Sequence, residues 1–372
     1  MRAEAIVDLS AIKFNVELLK KTSGTKLLAV VKADAYGHGL VPVAQAAVSA
    51  GADYLGVALL EEAVALREAG ITAPILAWLV QPGSDFSQAI SLDIDIAAAS
   101  LKALSEISLA SRNLQKKARV HLEVDTGMTR GGFLDEWPKI DALHLHGVEI
   151  VGIFSHFARA DEPGQPQNLS QLNRFKKMVA SLESFGYPNL IRHLSNSAAT
   201  IKDQTSAFDM VRTGIAMYGL SPDVKTLGAS KELGLIPAMT LRAKLHLVKK
   251  VPAGSPVGYG ATAVTKSATK LGVVAMGYAD GIPRIAQSAG VSFLRKKSPI
   301  IGRVSMDQFV VDLGADSTAQ SGDWVTIFGI GAAGEYTADD WGAASGSINY
   351  EIVTRIGPRV PRIYRSSSPA TE

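Results

Sequence analysis

The sequence contains no cysteine, and it also lacks long apolar runs. The absence of cysteine excludes disulfides, zinc–thiolate centres, iron–sulfur clusters and thiol nucleophiles. The longest apolar run, Ile75–Val80, is far too short to span a bilayer. The segment Met1–Glu4 reaches an acidic residue before any apolar stretch, so a secretion signal is not expected. We therefore expect a cytoplasmic protein.

Charge of one sign is not in excess either. Lysine and arginine number 38 against 35 acidic residues, a formal charge of +3, which is too balanced for electrostatic binding of nucleic acid. Apolar residues make up 47% and charged residues 20%, so the chain is neither disordered nor collagen-like. A length of 372 residues favours two domains.

The first 220 or so residues alternate between strand-like and helix-like patterns. Most of the strand-like runs are apolar on both faces, as expected for parallel strands covered on both sides. The eight predicted strands are Lys26–Lys32, Tyr54–Leu59, Pro74–Val80, Ile94–Ala98, Arg119–Asp125, Glu149–His156, Leu190–Asn196 and Met210–Gly219.

Helical spacing of apolar residues predicts helices between these strands, for example over Leu60–Ala69, Ser100–Arg112 and Asn168–Phe185. Strand–helix units that repeat every ~26 residues are typical of a (β/α)8 barrel of the TIM type. A doubly wound open sheet would give the same alternation. The count of eight favours the barrel.

Beyond Ser221 the pattern changes to strand-like runs separated by turn signals, with almost no helical periodicity. This predicts two domains, an α/β barrel over 8–225 and a smaller, mostly β domain over 236–372. The predicted strands of the second domain are Leu241–Val251, Leu271–Met276, Pro299–Ile301, Gln308–Leu313, Trp324–Phe328 and Asn349–Thr354.

The active site of such a barrel lies at the C-terminal ends of its strands. Lys32 ends the first strand. Burial lowers the pKa of a lysine, and the neutral amine is a nucleophile that forms Schiff bases with aldehydes. An extended side chain that reaches solvent is the alternative for Lys32.

Four further strand ends carry polar side chains. Arg130 lies among glycines, which suits a loop that presents a guanidinium to a carboxylate. His156 follows the sixth strand, Asn196 and Ser197 the seventh, and Arg212 with Gly214 the eighth. Taken singly, His156 could be a packed core histidine and Arg212 a structural ion-pair partner. Together these groups predict an active site, with phosphate near the last two strands.

Sequence motifs in both halves resemble those of alanine racemases, the fold-type III pyridoxal phosphate (PLP) enzymes. They occur in the order found in that family and span nearly the whole chain. The motifs are Val30–Gly39 (VVKADAYGHG), Asp125–Phe133, Phe154–Asp161, His193–Ala198, Met210–Leu220, Val257–Thr262, Gly277–Gly281, Gly302–Phe309 and Ile348–Ile352. The resemblance implies a PLP-binding barrel and a β domain, with residues 2–7 packed against the latter.

The resemblance also implies roles for single residues. Lys32 would hold PLP and act as one base, and Tyr259 from a second subunit would be the opposing base. Two bases suit racemisation, because the Cα proton leaves one face and returns on the other. Cofactor contacts are implied for Tyr36, Arg130, His156, Asn196, Ser197, Arg212, Gly214, Ile215 and Tyr350, and substrate contacts for Arg130, Tyr259, Tyr278, Met306 and Asp307.

The implied activity is the PLP-dependent interconversion of L- and D-alanine by a cytoplasmic homodimer that supplies D-alanine for peptidoglycan. The chain departs from the family at Glu123, where a lysine, usually carbamylated, is common. Because a carboxylate has the same charge as a carbamate, we expect Glu123 to replace it in orienting Arg130. An unrelated acidic residue is the alternative. No metal site is expected, since His144 and His146 lack a third partner nearby.

Two other functions are alternatives for a chain with this barrel. Fold-type III amino acid decarboxylases resemble it but rely on a cysteine in the β domain, and this chain has none. Non-catalytic PLP-carrying proteins have the barrel alone, whereas this chain keeps a second domain with Tyr259 and Met306. Racemisation of L-alanine would distinguish the first function from both alternatives.

Overall fold

The computed structural model describes residues 1–140, 146–286 and 288–366. The chain divides into two compact units. The first, here called the barrel unit, consists of Ile12–Ala35 and Leu40–Leu235. The second, here called the β unit, consists of Met1–Ala11, Tyr36–Gly39 and the chain from Ile236 onward.

After strand β1 (Ala3–Asp8) and helix α1 (Leu9–Ser23), eight parallel strands form the barrel. Consecutive strands are neighbours from β2 to β8, and β9 pairs with β2. The strands are β2 (Lys26–Val30), β3 (Tyr54–Val57), β4 (Ile75–Ala77), β5 (Ile94–Ala98), β6 (Ala118–Glu123), β7 (Val148–Phe154), β8 (Ile191–His193) and β9 (Met210–Thr213).

Hydrogen bonds between the last two strands close the barrel. The N–H of Asp209 donates to the carbonyl of Arg192 at 3.1 Å, and the N–H of Arg212 donates to the carbonyl of Ser195 at 2.9 Å. The closure confirms the predicted (β/α)8 barrel and excludes the open sheet. Strands β3 and β5 are buried along their whole length, as their apolar residues on both faces require.

Helices surround these strands and begin at the expected signals. Ser100 caps the helix that follows β5, because its hydroxyl accepts the N–H of Ala103 at 3.2 Å. The longest helix has Pro166 in its first turn and buries an apolar stripe. The helices are α2 (Lys32–Gly37), α3 (Leu40–Ser49), α4 (Leu60–Glu68), α5 (Phe86–Ser91), α6 (Leu101–Leu114), α7 (Pro166–Ser184), α8 (Ser197–Lys202) and α9 (Val224–Leu227).

The β unit is built on one large sheet, ordered β15-β14-β17-β10-β1-β18, in which β13 joins β10 to β16. Strand β1 runs antiparallel to β10 and parallel to β18. Besides β1, the elements of the β unit are β10 (Met239–Val251), β11 (Pro256–Val257), β12 (Ala263–Val264), β13 (Thr269–Val274), β14 (Gly290–Phe293), β15 (Lys296–Pro299), β16 (Phe309–Asp312), β17 (Trp324–Phe328), α10 (Ala338–Ala344), α11 (Asn349–Thr354) and β18 (Arg362–Arg365).

The mostly β character is confirmed, but the strand predicted over Asn349–Thr354 is wrong, since these residues form helix α11. Helix α10 also falls where helical periodicity was not recognised. A capping box begins it: the Thr337 hydroxyl accepts the N–H of Asp340 at 3.1 Å, and the Asp340 carboxylate accepts the N–H of Thr337 at 3.0 Å. None of the helices in the described ranges is both long and apolar enough to cross a bilayer.

Candidate active site

Lys32 lies just beyond strand β2, at the C-terminal end of the barrel strands. Its amine is 5.9 Å from the ring centroid of Trp78, which follows β4. Burial lowers the pKa of Lys32, the charge of Arg130 lowers it further, and the carboxylate of Glu62 opposes both. A larger share of the amine is therefore neutral and nucleophilic at neutral pH.

The short helix α2, which begins at Lys32, is a left-handed turn. Residues Ala33, Asp34, Ala35 and Tyr36 all have φ between 52° and 53°. This conformation costs about 1–2 kcal/mol for each L-residue. The Glu62 carboxylate accepts the N–H of Ala33 at 2.5 Å, and Asp34 accepts the N–H of Leu40 at 2.8 Å. Backbone strain of this kind is concentrated at functional sites.

Arg212 is buried in the barrel wall at β9. Its two terminal nitrogens donate to the carbonyls of His193 at 2.8 Å and Ser155 at 2.7 Å. Among the residues that the structure describes, no acceptor is found for the Nε–H of this guanidinium. Burial lowers the pKa of Arg212 to about 10, Glu123 opposes this, and Arg130 adds to it. The guanidinium therefore stays charged at neutral pH.

His156 contacts the same guanidinium, with Nδ1 3.2 Å from a terminal nitrogen of Arg212. Because an arginine only donates, Nδ1 accepts and the ring proton is on Nε2. Burial, followed by the charges of Arg212, Arg130 and Lys32, lowers the pKa of His156 to about 3. His156 is therefore a neutral ring at physiological pH, and it is bonded to Arg212.

Glu123, at the end of β6, lies beside Gly131. A Cβ atom on that glycine would be 3.4 Å from the Glu123 carboxylate. Burial raises the pKa of Glu123, while the charges of Arg212 and Arg130 lower it. The Arg130 side chain is exposed, and in the described part of the chain no ion pair of Arg130 with Glu123 is found. The predicted orienting role of Glu123 thus stays a prediction.

The ends of β8 and β9 meet at Ser197. Asn196 caps helix α8, since its side chain accepts the N–H of Ala199 at 3.1 Å. The Ser197 hydroxyl accepts the N–H of Gly214 at 2.9 Å, and Gly214 precedes the short 3-10 helix that begins at Ile215. Asn196, Ser197, Gly214 and Ile215 therefore form one cluster that is rich in backbone amides.

In the β unit, Tyr278 and Met306 belong to two loops that hydrogen-bond to each other. The N–H of Tyr278 donates to the carbonyl of Ser305 at 3.1 Å, and the N–H of Ala279 to that of Met306 at 2.9 Å. Asp307 accepts a hydrogen bond from Arg359 at 2.7 Å. The structure thus brings Tyr278, Met306 and Asp307 together.

Three further tyrosines of the β unit were predicted site residues. Tyr259 begins a short 3-10 helix, and 72% of it is exposed. The rings of Tyr36 and Tyr350 lie 6.3 Å apart, centroid to centroid. Burial raises the pKa of Tyr36, so its hydroxyl stays protonated and can donate.

Several contacts around this site were not anticipated from the sequence. Trp78 and Glu62, which contact Lys32 and the turn after it, follow barrel strands, so their positions at strand ends could have indicated them. His193 and Ser155 hold Arg212 and also lie at strand ends. His144 lies outside the described residues, and the described residues contain no group of three metal-ligating side chains.

A closed barrel with a lysine of lowered pKa at a strand end, followed by a β-rich unit, defines the protein as an enzyme of the barrel-plus-β-domain class. The profile described as "Alanine racemase, N-terminal domain" matches residues 7–222, and "Alanine racemase, C-terminal domain" matches 238–364. The chain belongs to the alanine racemase family.

Relatives of the full length support this assignment. A protein of Salinispora tropica named "Alanine racemase" is 48% identical, over 99% of this chain and all of its own. The crystal structure of alanine racemase from Streptomyces lavendulae superposes with a TM-score of 0.96 at 47% identity, covering 99% of this chain and 98% of that one. Alanine racemase from Streptomyces coelicolor gives 0.95 at 45%, with 98% of both chains covered.

Proposed function

We propose that the protein is an amino acid racemase that interconverts L- and D-alanine with PLP as its cofactor. The family membership supports the reaction. The single observation that carries the proposal is Lys32, an amine at a barrel strand end whose pKa is lowered by burial and by Arg130. An amine of this kind is what an aldehyde cofactor requires.

The side chains present fit PLP. The cofactor needs an amine for its aldehyde, a donor for its ring nitrogen and several donors for its phosphate. Lys32 supplies the amine, and the Nε–H of Arg212 is a donor without a partner among the described residues. We assign the phosphate to Tyr36, Ser197, Gly214, Ile215 and Tyr350, and we assign Asn196 to the cofactor site without a specific contact.

When bound, PLP withdraws electrons and so makes the Cα proton of an amino acid more acidic. Moving that proton from one face of Cα to the other requires a base on each face. We assign these roles to the amine of Lys32 and the phenol of Tyr259. Burial favours the neutral form of Lys32, which can accept the proton.

The remaining residues bind and orient. The Arg130 guanidinium would pair with the substrate carboxylate, as its geometry favours. Glu123 would orient Arg130 by charge, and His156 would hold Arg212. Met306, Asp307 and Tyr278, which lie together in the β unit, would line the substrate pocket beside Tyr259.

A direct experiment is a racemisation assay over a panel of L-amino acids, followed by chiral chromatography, with Lys32→Ala as the blank. We expect D-alanine from L-alanine and slower conversion of serine, because a small apolar pocket rejects an added hydroxyl by only about 100-fold. Release of CO2, or cofactor binding without turnover, would refute the proposal in favour of a decarboxylase or a PLP carrier.

We infer that the active sites are shared within a homodimer. The support is the exposed position of Tyr259, which a partner subunit would cover. Inactive Lys32→Ala and Tyr259→Phe proteins, dissociated and mixed, would form heterodimers with one intact site of two. Random pairing should then restore about a quarter of wild-type activity. No recovery, although heterodimers form, would exclude shared sites.

Glu123 can be tested by substitution. Glu123→Ala should weaken substrate binding, and Glu123→Lys should recover activity when bicarbonate is added, because a carbamate restores the negative charge. Glu123→Gln, which is nearly isosteric but neutral, is the matched control. Equal Michaelis constants in all variants, with and without bicarbonate, would refute an orienting role.

We propose that the cytoplasmic D-alanine pool made by this enzyme supplies peptidoglycan. Expression in a bacterium that requires D-alanine should restore growth without the supplement, and the Lys32→Ala variant should not. Failure of the wild-type gene, despite activity in the lysate, would contradict the biosynthetic role.

A further inference from the structure

The interior of the barrel contains a row of polar side chains where aliphatic residues are usual. Asp95 on β5, His121 on β6, His193 on β8 and Arg212 on β9 are all buried. A buried polar group is costly unless it is hydrogen-bonded, so their placement requires an explanation.

These four side chains form one continuous chain of contacts. A terminal nitrogen of Arg212 is 3.3 Å from His193 Nδ1, and His193 Nε2 is 2.9 Å from His121 Nδ1. His121 Nε2 is in turn 3.3 Å from Asp95 Oδ2. Phe154 stacks on the His193 ring with centroids 5.0 Å apart, which fixes the plane of that imidazole.

The two ends of the chain determine where every proton lies. Arginine can only donate, so His193 Nδ1 accepts and its proton is on Nε2. That proton is donated to His121 Nδ1, which leaves the His121 proton on Nε2. A carboxylate can only accept, and Asp95 takes this last hydrogen bond. All three hydrogen bonds therefore point in one direction, from Arg212 to Asp95.

We propose that Asp95, His121 and His193 are positioning residues, and that their one-directional relay holds the Arg212 guanidinium in place with its Nε–H left free for a ring-nitrogen acceptor. The relay itself is a property of the barrel unit. Its effect on the cofactor rests on the proposed function. The relay orients the Arg212 guanidinium from inside the barrel, in addition to the contact with His156.

The surroundings keep Asp95 and Arg212 charged and His193 neutral. Burial alone would raise the pKa of Asp95, yet hydrogen bonds from His121 and Arg119 bring it below its ordinary value. Tyr54 also donates to Asp95 at 3.3 Å. Burial lowers the pKa of His193, and the neighbouring His121 and Arg212 lower it further.

Charged groups at both ends bear on this arrangement. At the Asp95 end, Arg119 donates to the carboxylate at 2.7 Å and the charge of Arg67 is nearby. At the Arg212 end, the charges of Glu123 and Arg130 act in opposite directions. Arg119 and Arg67 thus lie near the Asp95 end of the relay, and Glu123 and Arg130 lie near its Arg212 end.

The first test measures the tautomers directly, in unsubstituted protein labelled with ¹⁵N-histidine. We expect the tautomer protonated on Nε2 at both His121 and His193, with signals assigned from single His→Gln variants. A proton on Nδ1, or an imidazolium, at either ring would overturn the relay. This result does not depend on catalysis, so it judges the relay even if the racemase assignment fails.

The second test asks whether the relay acts on Arg212. Asp95→Asn keeps an acceptor but removes the charge, and Asp95→Leu removes both. We expect kcat to fall about tenfold for Asn, as for outer partners of metal-bound histidines, and further for Leu, with little change in KM. The pH dependence of the cofactor's visible absorption should also shift, because Arg212 is less firmly held.

The matched control is Asp93→Asn. Asp93 directly precedes strand β5, its side chain is 73% exposed, and it pairs with Lys116. We expect the control to match wild type in kcat and in the absorption profile. Wild-type kcat and an unshifted profile in folded Asp95→Asn would overturn the positioning role. If both Asp95 variants fail to fold, His193→Gln, which keeps a donor and an acceptor, supplies the same comparison.

Discussion

In the barrel unit a buried arginine and a buried aspartate are separated by two histidines, whereas in the β unit a fully buried aspartate meets arginines directly. Asp280 accepts hydrogen bonds from Arg2 at 2.5 and 3.0 Å and lies 3.1 Å from Arg359. The side chains of these two arginines are 36% and 46% exposed.

The difference follows from where each arginine must be. Arg2 and Arg359 reach Asp280 from the surface, so their charges stay partly hydrated and the contact can be direct. Arg212 is buried at a strand end, and a second charge beside it would have to be buried too. Neutral imidazoles carry the hydrogen bonds instead. We infer that the β-unit cluster serves stability and the barrel relay serves the site.

The largest expected effect concerns one residue of each unit. Lys32→Ala should reduce racemisation at least 1000-fold in both directions, since a general base alone contributes roughly 10²–10⁴-fold. Tyr259→Phe should also block racemisation, but its Lys32 should still exchange the Cα proton of one enantiomer with solvent. Polarimetry measures racemisation, and proton NMR of each enantiomer in deuterated buffer measures the exchange. Equal exchange rates for both enantiomers in Tyr259→Phe would contradict its assignment to one face.

The next effect separates the two aspartates by stability. Asp280→Asn should lower the free energy of unfolding by about 2–4 kcal/mol, because it removes a buried negative charge that two arginines contact. Asp95→Asn should cost about 1–2 kcal/mol, because one arginine, Arg119, contacts this carboxylate and its other hydrogen bonds come from neutral groups. Urea denaturation followed by circular dichroism measures both. The reverse order would undermine the division of roles between the two units.

A third prediction concerns acid. The ordinary pKa of histidine is near 6.5, and His156 titrates in the folded barrel at about 3 while the pKa of His193 is also lowered. The unfolded chain therefore binds more protons below pH 6.5, so stability falls as the pH falls. The two histidines together should cost about 2 kcal/mol between pH 6.5 and 5.5.

Urea titrations at the two pH values measure this loss. His156→Asn should reduce it by about half, because one of the two titrating groups is gone. Replacement of His246, an exposed histidine of the β unit, is the control and should leave the loss unchanged. An identical loss in the His156 variant would show that other groups carry the acid sensitivity.

The smallest effect is expected at the barrel closure. The Arg192 side chain pairs with Asp209 at 2.7 Å, and both side chains are more than a third exposed. Asp209→Asn should therefore cost only ~0.5–1 kcal/mol, because solvent screens the pair. Thermal unfolding measures the change. A loss as large as that of Asp280→Asn would remove the contrast between exposed and buried pairs.

The barrel was predictable because its pattern is repeated. Apolar runs identified all eight strands, and each run overlaps an observed strand. Strand ends likewise indicated Lys32, His156 and Arg212. In the structure Arg212 contacts His156, and the charge of Lys32 lowers the pKa of His156. The signal came from the topology rule that polar groups at parallel strand ends share one side of the barrel.

Other features depended on tertiary context. Residues Asn349–Thr354 have high strand propensity, yet Ile352 and Val353 are buried in a helix whose Asn349 side chain donates to Asp339 at 2.6 Å. The capping box at Thr337 was a usable signal for α10 that was overlooked. Asp95 and His121 lay within runs judged by their apolar neighbours, so their partners on other strands could not be foreseen.

The left-handed turn after Lys32 limits how the protein can change. Valine, isoleucine and threonine are poorly tolerated at positive φ, whereas glycine, asparagine and aspartate accept it. Random libraries built over 33–36 should therefore return small or amide-bearing side chains and almost no branched ones. Evolution at these four positions is constrained by the handedness of the backbone before any requirement of the chemistry applies.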